Sequence, residues 1–176
     1  MNNSKTKRLT VSAICLALCV VLPVLFHAVP NAGNIFLPIH FPVLICSVMC
    51  GTVYGAVCGV IGPLLSSLIT SMPPLSVAPS MMVECAAYGL ICGLMIKYVK
   101  TGKSLADLYI SLVTSMLIGR VVAGLAKALI FTPGISPFAW VGASIITGIP
   151  GIAIQLILIP LLITALTKAG LISKHE

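Results

Sequence analysis

Long apolar stretches alternate with short breaks rich in proline, glycine or lysine along almost the whole chain. About 20 apolar residues in a helix are enough to cross the hydrocarbon core of a bilayer. The pattern therefore predicts an all-α fold, an integral membrane bundle of six transmembrane helices in a single domain. The predicted spans cover approximately residues 9–29, 37–51, 53–71, 78–97, 107–130 and 139–167.

The break between the second and third spans is the least clearly marked, because residues 37–71 contain no Asp, Glu, Lys or Arg. One helix of that length would rise about 50 Å, whereas the hydrocarbon core is about 30 Å thick. Two shorter helices, separated at residues 51–55, fit the membrane better.

The basic residues indicate how the bundle is oriented, because Lys and Arg in short loops are retained on the cytoplasmic side. With six spans and a cytoplasmic N-terminus, the predicted outer loops 30–36, 72–77 and 131–138 contain no Lys or Arg. Joining the second and third spans would move the lysines of 97–103 outside. Both termini are therefore predicted to be cytoplasmic. The basic residues on that side are Lys5, Lys7, Arg8, Lys97, Lys100, Lys103, Lys168 and Lys174.

The composition excludes a soluble globular protein, since 59% of the 176 residues are hydrophobic and only 7% are charged. Soluble domains carry roughly 25% charged residues. The net charge of +7 does not indicate nucleic-acid binding, because aromatic residues make up 6% and no basic patch alternates with them. The N-terminus resembles a signal peptide, but its apolar run is longer than a typical signal core and no convincing cleavage site follows. We interpret it as the first span.

The cysteines and the known catalytic motifs give no sign of an enzyme. The seven cysteines, at positions 15, 19, 46, 50, 58, 85 and 92, include no C-x-x-C pair and lie mostly inside apolar runs. We interpret them as packing residues and expect neither a metal nor a cofactor. The chain lacks the ATP-binding P-loop pattern and the H-E-x-x-H and G-x-S-x-G hydrolase patterns. Uphill transport would therefore need an energising partner.

Three charged residues, Glu84, Arg120 and Lys127, fall inside predicted spans, where a charge is costly and by default indicates a ligand or ion site. Arg120 lies 13 residues after Asp107, and Glu84 and Gln155 lie 13 residues before Lys97 and Lys168. At about 1.5 Å per residue, all three side chains belong to one layer about 20 Å above the inner boundary. We expect a substrate pocket in the outer half of the bundle.

Several other polar residues are candidates for the same pocket, and each has a structural alternative. Tyr88 shares a helix face with Glu84, but it and Trp140 would also suit membrane-interface anchors. Asn34 and His40, like Asn31 and His27, fall at the outer rim, where solvated loop residues are usual. The residues inside the spans have alternatives too: Glu84 and Arg120 could pair with each other, Lys127 could snorkel, and Gln155 could bond to another helix.

Small residues recur at a spacing of four, which places them on one helix face and lets another backbone approach closely. The sets are Ala13/Ala17, Gly51/Gly55/Gly59 and Gly89/Gly93. The spacing alone does not distinguish packing inside the bundle from contact with a partner.

The size, the six spans and the order of motifs resemble the substrate-binding S components of energy-coupling factor (ECF) vitamin transporters. The motifs are LPIHFPV at 37–43, GPLLSS at 62–67, MPPL at 72–75, ECAAYG at 84–89, IGR at 118–120 and IPGIAIQ at 149–155. The resemblance implies capture of a vitamin between the outer helix halves, docking on a membrane T subunit bound to two ATPase subunits, and inward release. The docking motif A-x-x-x-A of that family matches Ala13 and Ala17.

The sequence therefore predicts the substrate-capturing subunit of an ECF-type importer in the bacterial cytoplasmic membrane. Pantothenate or nicotinate suits the in-membrane charge of +1 from Arg120, Lys127 and Glu84, whereas pairing of Glu84 with Arg120 favours a pyridoxine-like or pyrimidine-like ligand. The alternatives are a stand-alone vitamin facilitator and a thiol-dependent membrane enzyme. The expected substrate-binding residues are Glu84, Tyr88, Arg120, Lys127, Gln155, Asn34, His40 and Trp140.

Overall fold

The computed structural model describes residues 3–26, 31–134 and 136–170, and within these ranges the chain is helical with short turns. The helices are α1 (Asn3–Leu25), α2 (Ala32–Phe36), α3 (His40–Cys50), α4 (Thr52–Thr70), α5 (Ala78–Tyr98), α6 (Ser104–Ala126) and α7 (Pro137–Lys168). A π-helical turn, Lys127–Phe131, continues α6. Six helical segments in the described ranges are long and apolar enough to cross a membrane, which confirms the predicted all-α bundle of six spans. The orientation of the termini stays a prediction.

The uncertain break is present, and one glycine makes it. Gly51 separates α3 from α4 with φ at 96°, a backbone conformation that residues with a Cβ rarely adopt. Its N–H donates to the Ser47 carbonyl, and its own carbonyl accepts from the N–H of Gly55. The chain therefore passes from α3 to α4 at one residue whose N–H and carbonyl are both hydrogen-bonded.

The predicted boundaries differ most from the structure at the first span and at the first outer loop. The first predicted span is 9–29, whereas α1 already begins at Asn3. The backbone hydrogen bonds of a helix can continue past the end of its apolar segment into residues with polar side chains. The end of α1, at Leu25, precedes residues 27–30, which lie outside the described ranges. The predicted outer loop 30–36 contains the short helix α2, which packs on α7.

Helix α5 is central to the bundle, since it contacts α3, α4 and α6. Its contact with α4 is made by Gly55 and Gly59 of α4 and by Gly89 and Gly93 of α5, a set that we call the glycine contact. A Cβ on Gly59, Gly89 or Gly93 would collide with backbone atoms of the opposite helix. These spaced glycines therefore serve packing inside the bundle. All seven cysteines are buried as free thiols, in keeping with a packing role.

The two ends of the bundle differ in their loops. We call the end where α1 finishes the pocket end; it includes α2 and the turns at 71–77 and 132–134. The opposite, lysine-rich end includes the start of α1 and the turn with Lys97, Lys100 and Lys103. Of the predicted polar layer, Glu84 lies near the start of α5 and Arg120 near the end of α6, both toward the pocket end.

Candidate substrate-binding site

A cavity of about 240 Å³ lies near the pocket end, between α2, α3, α5, α6 and α7. Polar and charged side chains make up most of its wall, which is unusual in a bundle whose surface is largely apolar. The residues that line it are Asn31, Asn34, Leu37, His40, Met81, Glu84, Arg120, Lys127, Trp140, Ala143, Ser144 and Thr147. The cavity is somewhat smaller and more polar than a typical small-molecule site, which suits a small, polar ligand.

Glu84 has His40 as its close partner. His40 is the first residue of α3 and is 1% exposed, and its Nε2 lies 3.3 Å from Glu84 Oε1 on α5. The Tyr88 ring meets the His40 ring edge-on, with centroids 4.9 Å apart. Tyr88 does not line the cavity, and its hydroxyl has no hydrogen-bond partner among the described residues. The Tyr88 ring therefore packs against the side of the His40 imidazole that faces away from the cavity lining.

Arg120 is enclosed by the bundle and has no carboxylate partner in the part of the chain that the structure describes. The side chain is 2% exposed, and its Nε and Nη2 make no hydrogen bond within that part. Nη2 lies next to Gly148 of α7, where an added Cβ would stand only 2.6 Å away. The sequence alternative of a Glu84–Arg120 ion pair is not formed in the described residues, where the group close to the Glu84 carboxylate is the His40 imidazole. The guanidinium therefore keeps unused donors beside the cavity.

Lys127 lies nearer the pocket end, where α6 passes into the π-helical turn that begins at this residue. Its Nζ lies 4.7 Å from the centre of the Trp140 ring on α7. Both side chains are half-buried and line the cavity, so the ammonium group faces an aromatic surface inside the bundle. This arrangement differs from simple snorkelling into the membrane interface.

Gln155 has a structural contact, although with the turn between α2 and α3 rather than with another helix as the sequence alternative had it. Its Nε2 donates to the Leu37 carbonyl at 3.2 Å, and its Oε1 is buried without a partner among the described residues. Leu37 links α2 to α3 and is left-handed, with φ at 52°, a conformation that costs a residue with a side chain roughly 1–2 kcal/mol. Gln155 therefore holds a strained turn whose Leu37 side chain lines the cavity.

The rim of the cavity near α2 carries two asparagines. Asn34 donates from Nδ2 to Asn31 Oδ1 at 2.6 Å, and both side chains are exposed. Gly151 of α7 lies directly under α2, because an added Cβ would meet the carbonyls of Ile35 and Phe36. Close packing on α7 thus places the asparagines over the cavity. His27 lies outside the described residues.

Six of the eight residues expected at the site line the cavity, namely Asn34, His40, Glu84, Arg120, Lys127 and Trp140. Tyr88 and Gln155 are buried behind this lining. Sequence reasoning did not propose Leu37, Met81, Ala143, Ser144 or Thr147 as site residues. A helical signal was present: Ser144 and Thr147 follow Trp140 by four and seven residues, which places them on its face of α7.

The two alanines of the expected docking motif have no part in the cavity. Ala13 and Ala17 are exposed on α1, whereas Cys15 and Cys19 of the same helix are buried against the bundle. The A-x-x-x-A pattern therefore occupies an outward face of α1.

The geometry defines the class: a membrane protein of six apolar helices that encloses a polar cavity among them. The sequence matches the family described as ECF transporter, substrate-specific component, over residues 7–163. The chain belongs to this family, whose members are substrate-binding subunits of transporters. Comparison with curated proteins and with solved structures gives no significant match.

Proposed function

We propose that the chain captures a water-soluble vitamin or vitamin precursor of the pantothenate, nicotinate, pyridoxine or pyrimidine type. The observation that supports this proposal is the polar cavity of about 240 Å³ near the end of the bundle remote from the lysine-rich turn. By the positive-inside rule, the lysine-rich end faces the cytoplasm of a bacterial cell, and the cavity then receives substrate from outside. Membership of the ECF family supports the transport role.

Capture is tested by titrating the full-length protein with a panel of vitamins while the fluorescence of Trp140, the single tryptophan, is recorded. Trp140 lines the cavity, so a bound ligand is expected to change its emission. We expect saturable binding of one member of the panel at micromolar concentration or below. Absence of saturable binding across the panel, verified by calorimetry, would contradict the proposal.

We further propose that delivery requires docking of α1 on the membrane T subunit of an ECF module carrying two ATPase subunits. Ala13 and Ala17 leave a shallow, outward-facing strip on which a partner helix can pack closely. Replacing Ala17 with Leu is expected to leave vitamin affinity unchanged and to reduce module-driven uptake by at least about tenfold. Uptake is measured in vesicles that contain the full complex.

The matched control is Val113→Phe, which adds bulk at an exposed position on α6, away from the proposed docking strip. It is expected to preserve both binding and uptake. Normal uptake by Ala17→Leu would refute the docking surface. Rapid substrate flux through the wild-type chain alone would instead favour a stand-alone facilitator.

A further inference from the structure

Arg120 is a buried cation whose compensating anion is missing from the part of the chain that the structure describes. Its side chain is 2% exposed and lines the cavity, and the described ranges contain no ion pair to it. Burying an unpaired charge is strongly unfavourable, so such a residue normally has an anionic partner or a functional reason to lack one. An anion bound in the cavity could pair with the Arg120 guanidinium.

The other charged groups of the cavity are already engaged. Glu84 contacts His40 at 3.3 Å, and Lys127 lies over the Trp140 ring at 4.7 Å. Arg120 has unused hydrogen-bond donors, because neither Nε nor Nη2 has a hydrogen-bond partner in the described ranges. These two nitrogens form one edge of the guanidinium, and such an edge matches the two oxygens of a carboxylate.

We propose that the ligand carries a single carboxylate and that Arg120 binds it. This inference rests on the proposed vitamin-capture function and narrows it to monoanionic substrates. With histidine counted as neutral, the formal charges of Arg120, Lys127 and Glu84 sum to +1, which one carboxylate neutralises. A doubly charged phosphate ester would bring excess negative charge close to Glu84, so the arrangement favours a carboxylate over a phosphate.

Two pairs of compounds isolate the contribution of the carboxylate: nicotinate with nicotinamide, and pantothenate with pantothenol. Each neutral partner keeps the rest of the molecule and lacks the negative charge. In the wild-type protein we expect one of the acids to bind at least about tenfold more tightly than its neutral partner, as the loss of a charged hydrogen bond implies. Dissociation constants are measured by calorimetry at neutral pH.

Arg120→Gln is expected to bring this acid-to-neutral ratio close to one. Lys97→Gln is the matched control, because it removes the same charge from an exposed position at the lysine-rich end and is expected to preserve the ratio. The wild-type comparison stands by itself if the Arg120 variant does not fold. Equal affinity for acid and neutral partner in the wild type, or a preserved ratio in folded Arg120→Gln, would overturn the inference.

The outcomes also separate this inference from the proposed function. Binding of uncharged pyridoxine, or tighter binding of pyridoxal 5′-phosphate than of either acid, would overturn the carboxylate assignment and leave vitamin capture intact. Failure of every water-soluble vitamin to bind would refute the proposed function, and the carboxylate inference with it.

Discussion

The glycine contact and the cavity use the same helix, α5, in opposite ways. At the glycine contact, Gly89 lies so close to Gly55 that no side chain fits between the two backbones, and the Ser47 hydroxyl donates to the Gly89 carbonyl. Near the cavity, Tyr88, which precedes Gly89 on α5, and Arg120 on α6 keep buried polar atoms without partners among the described residues. At the glycine contact the Ser47 hydroxyl and the Gly89 carbonyl are paired, whereas near the cavity some buried donors have no partner.

This difference shows how a small membrane protein combines tightly packed helices with a cavity that keeps polar groups free to bind a ligand. Apolar burial contributes little to association between helices in lipid, so close packing of small residues has to supply rigidity. A site with unused donors and acceptors is unfavourable when empty and becomes favourable when a complementary ligand fills it. Close packing at the glycine contact stabilises the bundle and so offsets the cost of leaving polar groups unpaired in the empty cavity.

The largest expected effect is loss of stability when the glycine contact is filled. In Gly89→Ala, the added methyl group would overlap the Gly55 carbonyl, so α4 and α5 must separate. Overpacking of this kind costs about 1–3 kcal/mol and sometimes more. We expect a clearly lower denaturation temperature in detergent, measured by differential scanning fluorimetry of the full-length chain.

Gly142→Ala is the control for the same chemical change, since an added Cβ at Gly142 meets no described atom within 4 Å. Its denaturation temperature is expected to stay unchanged or to rise slightly, because Ala favours helix over Gly by about 1 kcal/mol. Equal stability of the two variants would show that the glycine contact does not form.

The next effect concerns the cavity and should fall on binding rather than on stability. In Gly148→Ala, the new methyl group would stand 2.6 Å from Arg120 Nη2, the mobile end of a long side chain, and 3.3 Å from Leu37 Cδ1. The guanidinium can move aside, so the fold survives while the proposed anion anchor is displaced. We expect affinity for the vitamin to fall about tenfold, as measured by calorimetry.

The denaturation temperature of unliganded Gly148→Ala should stay close to that of the wild type. A large loss of stability with normal affinity in the remaining folded protein would reverse the assignment of the two regions. The alanine scan of these glycines therefore distinguishes scaffold from site with one type of substitution.

Much of this division was predictable from the sequence. Apolar length identified the six spans, and the count of residues from each charged helix end placed Glu84, Arg120 and Gln155 in one layer. The count relies on the uniform rise of an α-helix, from which the depth of a side chain along its helix follows. The spacing of the glycines likewise predicted a close backbone approach, although it did not distinguish packing inside the bundle from contact with a partner.

Which groups face each other could not be predicted in the same way. The Glu84 partner depends on how α3 and α5 pack, and the chain itself offered Arg120 as a second candidate. The left-handed turn at Leu37 goes against the intrinsic preference of leucine, so no local signal marks it. The π-helical turn at Lys127 similarly changes the direction of a side chain without a distinctive sequence.

The smallest expected effect comes from the one hydrogen bond that joins the cavity to its support. Gln155→Leu removes the donor to the Leu37 carbonyl, which still accepts from the His40 N–H at 3.1 Å. Because the carbonyl keeps one partner, the loss should cost only about 0.5–1.5 kcal/mol. The strained Leu37 turn is then less firmly held, so vitamin affinity should fall by a few-fold in calorimetric titrations.

Ser47→Ala provides the comparison, because it removes a buried hydroxyl-to-carbonyl bond of the same kind at the glycine contact. It should lower the denaturation temperature slightly and leave vitamin affinity unchanged, whereas Gln155→Leu should lower affinity. If both variants changed affinity equally, the bond at Gln155 would act only through general stability. A selective loss in Gln155→Leu would instead identify Gln155 as a positioning residue, one that acts on the ligand through the backbone of Leu37.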